Sequence, residues 1–361
     1  MSFAKALILA TGLSSVALAL PGVNPSVGVE TRTLDELHQA ALSEGGVVTL
    51  WHGGDEINQQ DSLKAAFEAR FPGMTLNLTV DLSKYLDGNL DQQIADNNIY
   101  VDSIILQTLH DYPRWKEQGV LMPYKPAGFD SVYANLKDPD ATYVGLFILN
   151  WANCWNVKGL ADAGITAPKE YTDYLKPEFK DRLVLIYPND DDAVLYQFDL
   201  IIKQYGVAWF ESLLAQNPKW VRGGATPFAT LRQNGTEVAT FTAVPRVGVD
   251  GVLNAQYPAE GQFVSWAQTG SILKNAPHPE GAKLLHNFML SPEFLTARGG
   301  WSTREDMDAP AGYPKIMDHN ATDPTAFTAF MSDRAAVERL RFFIESRIGI
   351  PQGPSPLVDG I

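Results

Sequence analysis

The sequence predicts an α/β fold long enough for two lobes, and three observations lead there. Strand-like and helix-like apolar patterns alternate along most of the chain, the mark of mainly parallel sheets flanked by helices. The 361 residues suffice for two units, each with its own core. No internal repeat and no low-complexity tract interrupts the alternation, so a solenoid or fibre is excluded.

The elements follow in chain order. Lys5 is the only charge before an apolar run from Ala6 to Leu20, and Ala17-Leu18-Ala19 is a small-x-small cleavage site. Residues 1–19 therefore read as a signal peptide, and the mature protein is expected to be soluble and secreted, either extracellular or periplasmic. The run is too short to span a bilayer, no later stretch is long enough, and no membrane span is expected. No cysteine lies near the cleavage point, which argues against a lipid anchor. Strands are predicted at Val47 to Trp51, Thr75 to Val80, Ser103 to Leu106, Phe147 to Trp151, Leu183 to Tyr187 and Val238 to Thr242. Helices are predicted at Gln60 to Phe71, Leu82 to Asn97, Asp111 to Gln118, Ala193 to Tyr205, Val207 to Gln216, Pro227 to Asn234 and Pro279 to Leu290. The tail from Pro324 to Ile348 holds at least one helix, and the Pro-rich end after it is expected to be loose.

Composition narrows the function classes. Asp+Glu is 42 against Lys+Arg 28, a formal charge of −14, which argues against nucleic acid and anionic membranes as partners. The one cysteine, Cys154, excludes an intramolecular disulfide and reads as a buried apolar thiol. Three sequons, at Asn77, Asn234 and Asn320, fit either chance or glycosylation. There is no Gly-x-Ser-x-Gly elbow, no His-Glu-x-x-His helix and no cysteine cluster, so no enzyme and no cofactor is expected.

One stretch carries more than its pattern. Thr269 to Phe294, TGSILKNAPHPEGAKLLHNFMLSPEF, reads as a strand, a turn and an amphipathic helix closed by Ser291-Pro292. It resembles the C-terminal half of the extracellular solute-binding proteins of ABC importers, with the Pro-x-Pro-Glu turn and the Phe-x-Leu-Ser-Pro-Glu helix end. Val47 to Gly54, Val101 to Tyr124 and Asp173 to Leu183 resemble other segments of that family in the same order, covering residues 45 to 300. The ferric-, thiamine- and phosphonate-binding branch is the nearest. The resemblance implies a two-lobe, type II periplasmic-binding-protein fold with a hinged cleft. It implies lobe 1 at 30–142 plus 272–361, lobe 2 at 155–262 and hinge crossings at 143–154 and 263–271. It also implies capture of a small polar solute by closure, with an ABC permease as partner if the source is bacterial. A secreted enzyme on the same fold, and a eukaryotic surface or effector protein reusing it, are the alternatives.

In such folds the solute lies beyond the carboxyl ends of the strands. Four loops qualify. Trp51, His52, Gly53 and Gly54 end the first strand, with His52 either touching solute or bonding its own loop. Gln107 either offers its amide to solute or caps the helix at Asp111. Asp190 and Asp191, with Asp192, either face a cationic or hydroxyl-rich solute or cap the next helix. Gly224, Ala225 and Thr226 offer amides to an acidic group, with Thr226 as the expected cap. Arg246 follows the sixth predicted strand, and Trp266 on the second crossing either stacks on solute or packs in the core. Val244-Pro245-Arg246 stands where iron-binding relatives carry adjacent tyrosines, so a two-tyrosine ferric site is not expected.

Overall fold

The computed structural model of the protein describes residues 27–243 and 251–358. The predicted signal peptide and Arg246 lie outside the described residues. Helix α1 (Leu34–Ser43) opens with a capping box, Thr33 with Glu36. It is followed by β1 (Val47–Gly53), α2 (Asp61–Arg70), β2 (Thr75–Asp81), α3 (Ser83–Ala95), β3 (Ser103–Leu106) and α4 (Asp111–Glu117). Then come β4 (Val144–Asn150), β5 (Ala152–Asn156), α5 (Val157–Ala163), β6 (Val184–Ile186), α6 (Asp192–Tyr205), α7 (Val207–Ala215) and β7 (Lys219–Val221). The remainder is α8 (Thr226–Arg232), β8 (Ala239–Ala243), β9 (Leu253–Gln256), β10 (Ser265–Ile272), α9 (Pro279–Met289), α10 (Pro292–Arg298), α11 (Ala326–Ser332) and α12 (Arg334–Ile348).

The largest sheet has the order β2-β1-β3-β10-β4. β1 pairs parallel with β2 and β3, whereas β10 runs antiparallel to both β3 and β4. A second sheet, β8-β5-β9, is antiparallel, and β6 with β7 forms a parallel pair. The sheets are therefore mixed, not mainly parallel. The cause is chain direction: β4 leaves the first sheet and β10 returns to it alongside, so the two must run in opposite senses.

Two apolar clusters underlie these sheets. One gathers α1, α2 and α9 against the first sheet, with Leu37, Leu50, Phe67, Phe71, Leu285 and Phe288 all buried. Helix α9 sits close to β1 because Gly281 has no side chain; a Cβ there would lie 2.7 Å from the Val47 carbonyl oxygen. The turn ahead of α9 is pinned by Asp102, whose carboxylate accepts from the amides of Thr49 at 2.7 Å and His278 at 2.6 Å. The other cluster centres on Phe198, Phe210, Phe241 and Tyr174. Cys154, in β5, is buried in the first cluster, and burial pushes its thiol pKa up, which suppresses reactivity.

The tail corrects one expectation. Residues 324–348 were expected on the first lobe, but α12 packs on α6, with Phe343 against Phe210 and Arg347 bonded to Glu211 on α7. Helix α11 bridges, touching both α6 and β10. Phe327 and Phe330 pack tilted against Tyr196 of α6, so the apolar face of the tail found its partner there. Beyond α12, Pro356 is buried, while residues 352–354 are exposed.

Candidate functional site

The site is built by strand direction. β1, β2 and β3 are parallel, so their carboxyl ends release residues 54–60, 82 and 107–110 on one edge of the first sheet. β6 and β7 are parallel in the other unit and release 187–191 and 222–225. These two groups of loops meet. The Gly224 amide donates to the Asp55 carboxylate. Lys84, in the first turn of α3, donates to the Asp190 carbonyl at 3.1 Å and to its carboxylate at 3.2 Å. The Gln107 amide nitrogen lies 3.5 Å from the Asp191 carboxylate. Gln107 therefore reaches across to α6 and does not cap α4.

The acidic loop is internally compensated. Asp190 accepts from Arg222 Nε at 2.7 Å as well as from Lys84. Burial raises its pKa, but Arg222 and Lys84 prevail and hold it below the usual carboxylate range. Asp191 is the N-cap of α6, accepting from Ala193 at 2.7 Å and Val194 at 3.0 Å. Burial raises its pKa against the pull of those amides. Asp192 pairs with Arg334 at 3.0 Å and Arg341 at 3.6 Å on α12. Of the two readings of this loop, capping describes Asp191, whereas Asp190 and Asp192 pair with cationic side chains, some of them in elements that no local pattern points to.

The end of β1 behaves differently. Trp51 is buried and packs edge-on to Tyr100. His52 is 2 % exposed, and its Nδ1 donates to the Gly53 carbonyl at 2.7 Å. That bond fixes the tautomer and leaves Nε2 as an acceptor, which has no hydrogen-bond partner in the protein. Burial drives the His52 pKa down to about 4, with the Arg298 charge adding to the fall, so the ring is neutral at ordinary pH. It lies parallel to Phe147 at 6.1 Å, and Arg298 stands 4.0 Å from the Phe147 ring. Gly53 and Gly54 are both packing glycines: a Cβ would meet Ser83 Oγ at 2.0 Å from Gly53, and Gln59 at 2.5 Å from Gly54.

In the fourth loop the expected cap is corrected. Ala225 is the N-cap of α8 and no side chain caps it; the Thr226 hydroxyl donates to the Arg222 carbonyl at 2.5 Å. Pro227 supplies the pre-set φ of the first turn instead. Trp266 is 1 % exposed, bonded to Gln268 and packed on Trp151 and Phe327, so it belongs to the core. The structure brings together the loops of Gly53, Gln107, Asp190, Asp191 and Gly224, and leaves Trp266 away in β10. Asn77, Asn234 and Asn320 are all exposed. Sequence reasoning missed Lys84, and it placed Thr108 and Asn189 in candidate loops without giving them a role. Lys84 was findable, since it opens the helix after a predicted strand.

A two-lobe α/β fold with its loops joined at facing strand ends is the architecture that solute-binding proteins use. The chain belongs to the bacterial extracellular solute-binding protein family, whose profile matches residues 103–300. No curated protein matches the sequence. Among solved structures, it resembles the substrate binding protein of the ABC transporter from Agrobacterium tumefaciens (TM-score 0.71, 13% identity, 86% of this chain and 97% of that one). It also resembles AfuA from Actinobacillus pleuropneumoniae with exogenous fructose-6-phosphate bound (0.64, 16%, 85% and 99%) and iron-bound HitA from Pseudomonas aeruginosa (0.61, 17%, 82% and 99%). At these identities the likeness is one of fold.

Proposed function

We propose that this protein captures a small polar solute, hydroxyl-rich or bearing a cationic part, and delivers it to an ABC-type importer outside the cytoplasm. It is a binding protein and not an enzyme in this reading. Lobe 1 comprises 30–142 with α9 and α10, lobe 2 comprises 155–262 carrying the tail helices, and 143–154 with 263–271 form the hinge. The observation that carries the solute site is a set of buried polar atoms without a protein partner at the strand ends of both units. They are His52 Nε2 near the end of β1, Thr108 Oγ1 after β3 and Asn189 Oδ1 after β6. Buried polar atoms are costly unless something bonds them, and a solute with several hydroxyls suits such acceptors and hydroxyls.

Charge supports the solute class. Asp55, Glu56, Asp190 and Asp191 stand at this junction against Lys84 and Arg222. An acidic excess favours a neutral polyol or a cation and repels a bare oxyanion. A ferric ion on adjacent tyrosines finds no support, because residues 240–250 contain no tyrosine. The test is calorimetric titration with a panel of sugars, sugar phosphates, amino acids, quaternary amines, ferric citrate, inorganic phosphate and sulfate. Saturable binding is expected from a hydroxyl-rich or cationic member, weakened about tenfold by His52→Phe through loss of one acceptor. Tight binding of inorganic phosphate or sulfate, unaffected by that change, would refute the reading.

A further inference from the structure

The segment after α12 returns to the same loops. The Gly349 carbonyl accepts from the Asn189 side-chain amide at 2.9 Å. The Pro354 carbonyl accepts from Arg222 Nη1 at 3.5 Å. Pro356 then lodges at Gly223: a Cβ placed on Gly223 would lie 2.5 Å from Pro356 Cβ, 3.3 Å from a Glu56 carboxylate oxygen and 3.3 Å from Thr226 Oγ1. Two segments far apart in sequence, at Glu56 and Pro356, thus converge on Gly223, whose φ of +81° other residues rarely adopt. Val358 closes the segment with a turn, its amide donating to Ser355 at 3.0 Å.

We propose that residues 349–358 form a strap that fastens the Arg222–Gly223 loop at the rim of the solute site and so holds Arg222 in place. The proposal rests on the reading of the site given above. The guanidinium of Arg222 is held on one side by Asp190 and on the other by the Pro354 carbonyl. With the strap in place, the arginine keeps Asp190 compensated and the loop is covered. With the strap displaced, Arg222 loses one restraint and the amides of residues 222–226 open to solvent. Asn189 is tied to the start of the same strap, so the loops after β6 and β7 are fastened together. Only glycine at 223 leaves room for the Pro356 ring.

The test is hydrogen–deuterium exchange read by mass spectrometry on the full chain, which needs no solute. Pro356→Gly removes the ring from its seat, and Gly223→Ala fills the seat from the other side. Both are expected to speed exchange at residues 222–226 at least tenfold, while β1 and α9 keep their protection. Val358→Ser, at a position 74% exposed in the same turn, is expected to change nothing. Unchanged exchange at 222–226 in both variants would overturn the strap. So would a uniform rise that includes β1 and α9, or an equal effect from Val358→Ser. None of these results bears on whether the solute panel binds, so the two proposals fail separately.

Discussion

Asp87 shows how a residue's surroundings set its contribution. It lies on α3 beside Asp111 and Asp91, and burial first, then the Asp111 charge, raises its pKa to about 6. The neighbouring cation, Arg114, is already committed to Asp91 at 2.9 Å and Asp111 at 2.8 Å. Asp87 therefore holds its proton more tightly folded than unfolded, and folding takes up a proton between about pH 4 and 6. Stability from this group is present at acid pH and is lost as pH rises through about 6. Asp87→Asn is expected to stabilise the protein at pH 7.5 by about 1 kcal/mol, after allowance for solvent screening, and to leave it unchanged near pH 4. Urea melts at the two pH values check this, and equal effects at both would reject the raised pKa. The residue scale is also where the sequence is least legible. An aspartate triplet is visible in the chain, but the partners that decide its role are Lys84, Arg222 and Arg334, up to 142 positions away. His52 was visible as a candidate, whereas its tautomer is set by the Gly53 carbonyl and its neutrality by burial.

At the scale of elements, legibility follows periodicity and length. Ser103 to Leu106 and the helix from Pro279 are where the apolar pattern puts them, because both bury a continuous face. β5, β7 and β9 were missed. β7 (KWV) and β9 (LNAQ) mix polar and apolar residues and are only partly buried, and β5 (ANCWN) carries two asparagines, so none shows the apolar run that marks β3 or β6; their ladders come from neighbours. Helix α1 was also missed although its capping box, Thr33 with Glu36, is a sequence signature. Helix α9 offers an element-scale test. Its approach to β1 depends on Gly281, since an added Cβ would stand 2.7 Å from Val47 O and 3.1 Å from Val48 Cβ. Alanine improves helix propensity by about 1 kcal/mol, but forcing the helix off the sheet costs about 1–3 kcal/mol. Gly281→Ala is expected to be net destabilising, seen as a lower midpoint in chemical denaturation. A stabilised variant would mean that α9 yields freely and that the close packing is not required.

At the scale of the molecule, the two-lobe plan was legible and the placing of the tail was not. The plan follows from alternating elements and from motifs in a fixed order. The tail's partner is decided by which apolar face α6 leaves open, and the primary sequence does not show that face. The same scale determines how the lobes meet. Three contacts link the loops of the first sheet to those after β6 and β7: Asp55 with Gly224, Lys84 with Asp190, and Gln107 with Asp191. A carboxylate on a backbone amide is worth about 1.5–3 kcal/mol, and a partly exposed ion pair about 0.5–1 kcal/mol. Together they are large enough to move an equilibrium between open and closed lobes by roughly two orders of magnitude. The expected role of these side chains is that of a latch, with solute competing with it or adding to it. Asp55→Ala combined with Lys84→Ala is expected to enlarge the radius of gyration seen by small-angle scattering in buffer without added solute. The far-ultraviolet circular dichroism should stay that of the parent. Restoring closure in the double variant with a saturating solute from the panel would show that solute and latch act on the same equilibrium. Identical scattering from the parent and the double variant would show that these contacts do not hold the lobes together.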